Sequence, residues 1–197
     1  MSAEEFWDRG YLLAERLLDS KQLAFARGAM DASRRSGKMR TAASKIVAQT
    51  AHNEYSPIGG EVLLLQCLPA IAAAVGAELL PAYAFWRIYE HGSALLRHVD
   101  RGACEVSATV TIAADPPDSP WPIKFQPLVG ESMELALQPG DAAIYQGCKV
   151  PHWREPFTGQ TQYQLFLHYV RKDGPNAALA FDGRGGLQLN SGAEPEG

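Results

Sequence analysis

From Tyr83 onward the chain breaks into short apolar runs divided by proline and glycine, and this punctuation limits the fold more than any other feature of the sequence. Tyr83-Ala84-Phe85-Trp86-Arg87-Ile88-Tyr89 is rich in aromatic residues and stops at Gly92, as a strand does. Further strands are expected at 95–100, 105–113, 121–126, 132–137, 142–146, 151–156 and 161–170. Pro116-Pro117-Asp118-Ser119-Pro120, Gln138-Pro139-Gly140 and Phe157-Thr158-Gly159 separate some of them. About eight short strands with turns between them make a sandwich or barrel, so the chain is expected to be mainly β with a helical N-terminal region.

The N-terminal segment 1–80 reads as helical support for a β core over 81–172. Residues 3–19 carry Phe6, Leu12, Leu13, Leu17 and Leu18 among charged residues and suit an amphipathic helix. Ser20 is placed to cap a second helix that runs to about Arg35 and stops at Gly37. Residues 41–51 look weakly helical, 52–60 read as a loop, and 61–67 with 70–75 form a helix or helix pair ended by Gly76. The Gly-rich, polar segment 183–197 reads as a flexible tail after a single domain over 1–182.

Composition removes several partners. The 197 residues are 46% hydrophobic and 20% charged, which is ordinary for a globular chain, and the net charge of −4 offers no basic surface to nucleic acid or anionic lipid. Cys67, Cys104 and Cys148 form no CxxC pair, which points to a reducing cytoplasm. Met1-Ser2-Ala3-Glu4-Glu5 is acidic where an export signal is basic. The apolar run 68–77, interrupted by Pro69, is too short to span a bilayer. A soluble cytoplasmic protein is therefore expected, with its oligomeric state open.

Two short runs carry the chemistry. His98 and Asp100 are separated by one residue, so on extended backbone both side chains leave the same face. His152 opens a later strand, behind the turn Pro139-Gly140-Asp141 and the apolar run 142–146. Two imidazoles and one carboxylate, with the remaining positions open, are the ligand set of the non-haem Fe(II) oxygenases.

Residues 83–170 resemble the core of the 2-oxoglutarate/Fe(II)-dependent dioxygenases, nearest to the prolyl-hydroxylase-like branch. The likeness rests on Tyr89-Glu90-His91-Gly92, His98-Val99-Asp100-Arg101, Ser107-Ala108-Thr109, Pro139-Gly140-Asp141 and His152. It implies a double-stranded β-helix (jelly-roll or cupin-like) with flanking helices. It also implies His98, Asp100 and His152 as catalytic iron ligands, with 2-oxoglutarate and O2 as cosubstrates and ascorbate as a candidate reductant. Succinate and CO2 are then released as the substrate is oxidised, and the intact Asp100 favours hydroxylation or a related oxidation over halogenation.

The family places Arg or Lys ten residues after the distal histidine, where this chain has Gln162, followed by Gln164. An amide hydrogen-bonds a carboxylate without neutralising it. Arg154 lies on the same strand face as His152, about 6–7 Å further along, and is the leading substitute for that cation. Arg87 and Lys124 compete with it, and Tyr89 is placed to donate its hydroxyl to the same carboxylate. Glu155 or Glu105 would pair with Arg154 if its role were merely structural. Arg101 and Glu105 are expected to pair with each other or to steady a ligand from behind, and His168 to face the pocket or the core. His52 and His91 fall in loops, His52 as part of a candidate lid, and Trp153 faces away from the metal. The expected substrate is a small molecule or amino acid rather than a protein. The competing readings are a cupin-like metal enzyme without 2-oxoglutarate and a non-enzymatic ligand-binding β-sandwich; no HExxH supports a zinc hydrolase.

Overall fold

The computed structural model describes residues 2–44, 46–117 and 121–186. Three helices, α1 (Ala3–Arg9), α2 (Ser20–Arg35) and α3 (Ile58–Val75), accompany eleven strands. The strands are β1 (Tyr11–Ala14), β2 (Arg40–Ser44), β3 (Val47–Tyr55), β4 (Leu79–Glu90), β5 (Leu95–His98), β6 (Val106–Asp115), β7 (Ile123–Phe125), β8 (Met133–Leu135), β9 (Ala142–Tyr145), β10 (His152–Arg154) and β11 (Thr161–Arg171). They form two antiparallel layers. The larger runs β1-β9-β6-β11-β4-β3-β2 and the smaller β5-β10-β7-β8, joined at one edge through the pair Val47 and Leu95. This is the double-stranded β-helix expected from the sequence.

The larger sheet is buried on both faces, which explains the near-continuous apolar and aromatic runs of β4 and β11. Alternation then sorts the side chains. Ala84, Trp86 and Ile88, with Tyr163, Leu165 and Leu167, pack outward against Leu63, Leu64 and Ile71 of α3 and Met30 of α2. Tyr83, Phe85, Arg87 and Tyr89 take the opposite face, opposite His168, Phe166, Gln164 and Gln162 in register. That inner face is unusually polar for a buried surface, with Thr109, Thr111, Gln162 and Gln164 all almost fully covered.

The C-terminal strands fall where the sequence placed them; β5, β7, β8, β9 and β10 are shorter than expected, and β4, β6 and β11 are longer. The N-terminal expectations need correction, because segment 1–80 contributes three strands as well as helices. The helix expected over 3–19 stops at Gly10, whose φ of 90° is left-handed, and whose added Cβ would lie 2.4 Å from Val150 Cγ2. Tyr11–Ala14 then pairs with β9 as an edge strand. Asp19, not Ser20, caps α2, its carboxylate accepting the Lys21 and Gln22 amides. Residues 41–51 form a hairpin rather than a helix, because β3 gains β4 as a partner through His52 to Tyr55. The loop expected over 52–60 is thus shared between β3 and α3. Pro69 lies inside α3, which is one helix, long and apolar enough by length and composition to cross a membrane, contrary to the short run read from the sequence. Its inner face is packed: Glu61 is buried there, accepting the Ser56 hydroxyl at 2.7 Å and the Ala84 amide at 3.0 Å. Its outer face leaves Ile58, Val62 and Leu65 exposed.

After β11, the 3₁₀ segment Ala177–Gly183 straps back over the loop that follows β5. Phe181 and Asp182 both hold positive φ without being glycine, a conformation that needs outside support. Asp182 supplies it, accepting Arg101 bidentately at 2.5 and 2.6 Å and the Tyr55 hydroxyl at 2.5 Å. Arg184, in the segment expected to be a mobile tail, is fixed by the Ala82 carbonyl at 2.9 Å and by Glu61 at 3.5 Å. The rest of that tail, 187–197, and the turn residues 118–120 lie outside the described residues. Substituting Asp182→Asn removes the charge that holds the strap. Amide exchange across 177–183 is expected to accelerate by about tenfold or more, with exchange in β4 and β11 unchanged by the same mass-spectrometric measurement.

Candidate metal centre

His98 ends β5, Asp100 follows it two residues on, and His152 opens β10, the hydrogen-bonded neighbour of β5 in which His152 stands opposite His98. The backbone leaves the strand after His98, so Asp100 belongs to a loop rather than to the strand expected over 95–100. The Asp100 amide donates to the Gly147 carbonyl at 2.8 Å, which fixes that loop against the chain running from β9 to β10.

Both imidazoles are set by their own backbone. His98 Nδ1 lies 2.7 Å from the Leu96 carbonyl, and His152 Nδ1 lies 3.0 Å from the Val150 carbonyl. A carbonyl only accepts, so Nδ1 carries the proton and each Nε2 keeps its lone pair. Those two Nε2 atoms lie 3.5 and 3.7 Å from Asp100 Oδ1. One ligand atom from each residue falls within 4.8 Å of the others. Two lone pairs and an anionic oxygen facing one another repel unless a cation sits among them, and a divalent ion accepting N, N and O donors fits this set.

Burial pushes the Asp100 carboxyl up, but the adjacent His98 ring and the neighbouring His152 and His168 more than offset this, leaving it below its usual range. Burial holds His152 below the usual imidazole value, favouring the neutral ligand form. Behind Asp100, Gly147 leaves no space for a side chain: a Cβ there would lie 2.3 Å from the Cys104 carbonyl, 2.7 Å from Asp100 Oδ2 and 2.8 Å from Ser107 Oγ. The sequence reading did not single out Gly147. Its only signal was a glycine between the strand 142–146 and His152.

An open cleft of about 140 Å³ leads to the three residues, walled by Tyr83, Phe85, Arg87 and Tyr89 from β4 and by Phe166 and His168 from β11. Arg87 donates Nε to Asn53 Oδ1 and Nη1 to the Tyr89 hydroxyl, the latter at 3.1 Å. Its guanidinium lies 5.0 Å from the Phe85 ring centre and 5.3 Å from that of Tyr89. Among the described residues no carboxylate pairs with it. Arg154, two residues beyond His152, is 3% exposed, stacks 4.8 Å from the Trp121 ring centre and donates Nη1 to the Trp121 carbonyl. Its Nη2 is buried without a partner, and burial lowers the group's pKa to about 10. Neither acid proposed as its partner takes it: Glu155 pairs with Lys124 at 3.1 Å and Glu105 with Arg171 at 2.8 Å.

The amide pair on β11 lies on the same face of the sheet as Phe166 and His168, buried beneath the cleft wall rather than lining it. Gln162 Nε2 donates to Thr111 Oγ1 at 3.3 Å and to Gln164 Oε1 at 3.1 Å, while Gln164 Nε2 donates to Thr109 Oγ1 at 2.7 Å. Gln162 Oε1 has no partner.

Other expected site residues lie elsewhere. Lys124 is excluded from the pocket: it stands opposite Trp153, on the face of β10 that points away from His152, and its charge is met by Glu155. Arg101 and Glu105 do not pair with each other, because Asp182 and Arg171 hold them separately. His52 is tied to Glu90 and Thr41, each at 3.1 Å, and so belongs to the β2–β3 hairpin rather than to a lid. His91 meets the Gly159 carbonyl at 3.1 Å.

His168 does face the cleft. Its Nδ1 lies 2.8 Å from Ser107 Oγ, and its ring centre lies 4.5 Å from that of Tyr83. Burial lowers its pKa from 6.5 to about 4. Between those values the unfolded chain binds a proton that the folded chain refuses, so this contribution to stability is complete above the higher value and is lost as pH falls to the lower. On the order of 3 kcal/mol is expected to disappear from the metal-free protein across that window. Urea unfolding at each end of it measures the loss, and His168→Gln should flatten the dependence.

No protein-family model matches the sequence, and no curated protein matches it. Solved structures do. The epimerase SnoN in complex with Fe3+, α-ketoglutarate and nogalamycin RO superposes with a TM-score of 0.72 at 14% identity, covering 98% of this chain and 91% of that one. A Pseudomonas putida prolyl-4-hydroxylase gives 0.65 at 17% identity, covering 86% and 96%. A Trichoplax adhaerens prolyl hydroxylase in complex with a hypoxia inducible factor peptide fragment gives 0.71 at 12% identity, covering 91% of each chain. The chain therefore has the double-stranded β-helix fold of the Fe(II)/2-oxoglutarate oxygenases, with prolyl hydroxylases among its structural neighbours.

Proposed function

We propose that the protein is an Fe(II)- and 2-oxoglutarate-dependent dioxygenase that hydroxylates or otherwise oxidises an unactivated C–H bond of a small molecule or amino-acid-like substrate. The observation that carries this reading is the convergence of two imidazole Nε2 atoms and one carboxylate oxygen at a cleft in this fold. His98, Asp100 and His152 would hold the iron, and a set of three protein ligands would leave positions for the cosubstrate and O2. Iron with 2-oxoglutarate supplies oxidative decarboxylation to succinate and CO2, coupled to oxidation of the substrate.

This chain's own residues bind and orient. Arg154 receives the far carboxylate through its unpartnered Nη2, and the Trp121 ring and carbonyl hold the guanidinium in place. The Tyr89 hydroxyl donates beside it. Rotating the Gln162 and Gln164 amides together keeps their contacts with each other and with Thr109 and Thr111, and leaves Gln162 Nε2 as the free atom. The buried pair then holds an N–H donor where it otherwise has an orphaned oxygen. Two amides of β11 and Arg154 of β10, in the facing sheet, thus replace the cation that the family carries at the position of Gln162.

The test is succinate formation without added substrate. Fe(II), 2-oxoglutarate and O2 should give slow succinate release from the wild type and none from Asp100→Ala. Release that survives in the variant rejects the triad, and its absence from the wild type with iron bound favours a cupin-like or ligand-binding module.

A further inference from the structure

Arg87 in the cleft wall and Arg154 buried beyond His152 are together one more guanidinium than an iron centre with 2-oxoglutarate can use. A ferrous ion ligated by Asp100 keeps one positive charge, and 2-oxoglutarate brings two negative ones. Arg154 balances what remains. Arg87 is then a surplus cation, 8% exposed, in a wall that includes Phe85 and Phe166. Among the described residues no carboxylate cancels it. The acids closest to the metal loop are already committed, Asp182 to Arg101 and Glu105 to Arg171. Asn53 and Tyr89 meet only Nε and Nη1 of Arg87, so its Nη2 is left to the cleft. A buried guanidinium without a counter-ion costs several kcal/mol. It is retained where a ligand supplies the charge.

We infer that the substrate is a small carboxylic acid, its carboxylate held by Arg87 and its apolar body by Phe85 and Phe166. This rests on the proposed iron and 2-oxoglutarate chemistry, which assigns the diacid to Arg154. The geometry suits the role. Arg87 stands opposite Gln164 on the cleft face of β4, with Phe85 and Tyr89 as its neighbours on that face. The guanidinium carbon lies 5.0 Å from the centre of the Phe85 ring and 5.9 Å from that of Phe166, so the fork is held between aromatic rings with little freedom left to lose.

Calorimetry on protein loaded with Mn(II) in place of iron separates the possibilities. 2-Oxoglutarate is titrated first. A panel of monocarboxylates from hexanoate and phenylacetate to N-acetylated amino acids follows, each beside its carboxamide. Wild type is expected to bind at least one acid about tenfold or more tighter than its amide, the equivalent of one charge-assisted pair. Arg87→Met should erase that preference and Arg87→Lys should keep part of it. In both variants the dissociation constant for 2-oxoglutarate should stay within about threefold of wild type. Loss of 2-oxoglutarate binding in Arg87→Met, with retention in Arg87→Lys, would place Arg87 in the cosubstrate site and overturn the inference, as would a wild type that never prefers an acid. If wild type binds metal but no 2-oxoglutarate, the proposed function fails separately, and the acid and amide titrations without it still decide the role of Arg87.

Discussion

Gly147→Ala is expected to lower metal affinity by roughly 10- to 100-fold although residue 147 touches no metal. The added methyl would meet the Cys104 carbonyl at 2.3 Å, Asp100 Oδ2 at 2.7 Å and Ser107 Oγ at 2.8 Å. A backbone carbonyl has no rotamer to escape into, so the Asp100 loop must move. That loop is pinned to the same residue through the Asp100 amide and the Gly147 carbonyl at 2.8 Å. Asp100 Oδ1 then leaves its place between the two Nε2 atoms, and one ligand loses its geometry while all three side chains remain. Overpacking should also lower stability by about 1–3 kcal/mol. Mn(II) titration followed by electron paramagnetic resonance measures the affinity, and thermal unfolding with and without metal separates the two effects. Wild-type affinity in Gly147→Ala would show that the loop adjusts freely.

Arg154→Leu is expected to separate the cosubstrate from the metal. Removing a charge-assisted contact to a carboxylate from a buried site costs about 2–3 kcal/mol, so the dissociation constant for 2-oxoglutarate should rise by roughly 30- to 150-fold. Metal affinity should stay at the wild-type value, because Arg154 reaches none of the three ligands by hydrogen bond. The unliganded protein gives an opposite signature. Arg154 has no carboxylate partner, an orphaned Nη2 and a pKa lowered to about 10, so leucine relieves a desolvated charge. Stability without ligand should therefore hold or rise, whereas an arginine with a structural role would take stability down with it. Unchanged affinity for 2-oxoglutarate would move its carboxylate to Arg87.

The parts of the molecule legible in the sequence share a physical reason. Most of β4 to β11 are punctuated by nearby Gly or Pro, so their positions are written locally, and the His98–Asp100 spacing marked the pair as ligands even though Asp100 lies in the loop after β5 rather than on the strand. β1, β2 and β3 carry no such marks. Residues 42–43 and 47–51 are rich in Ala, Val and Gln and read as helix by composition, and only the pairing of β3 with β4 and of β1 with β9 makes them strands. Lys124 shows a second limit. Its face follows from its register with β10, where a shift of one residue turns a pocket lysine into a surface partner of Glu155. Arg154 was legible as a cation on the metal strand. That its Nη2 is unpartnered and Arg87 lacks a counter-ion follows only from where the chain places every acid.

Anaerobic titration of the Fe(II)-loaded protein with 2-oxoglutarate tests the central claim most directly. Chelation of the diacid by ferrous iron held on one face by two histidines and a carboxylate produces a weak visible charge-transfer band. The account predicts that this band saturates at one 2-oxoglutarate per chain in the wild type, weakens in apparent affinity for Arg154→Leu and is absent in Asp100→Ala. A wild-type protein that binds Fe(II) and shows no band at any concentration of 2-oxoglutarate would contradict it.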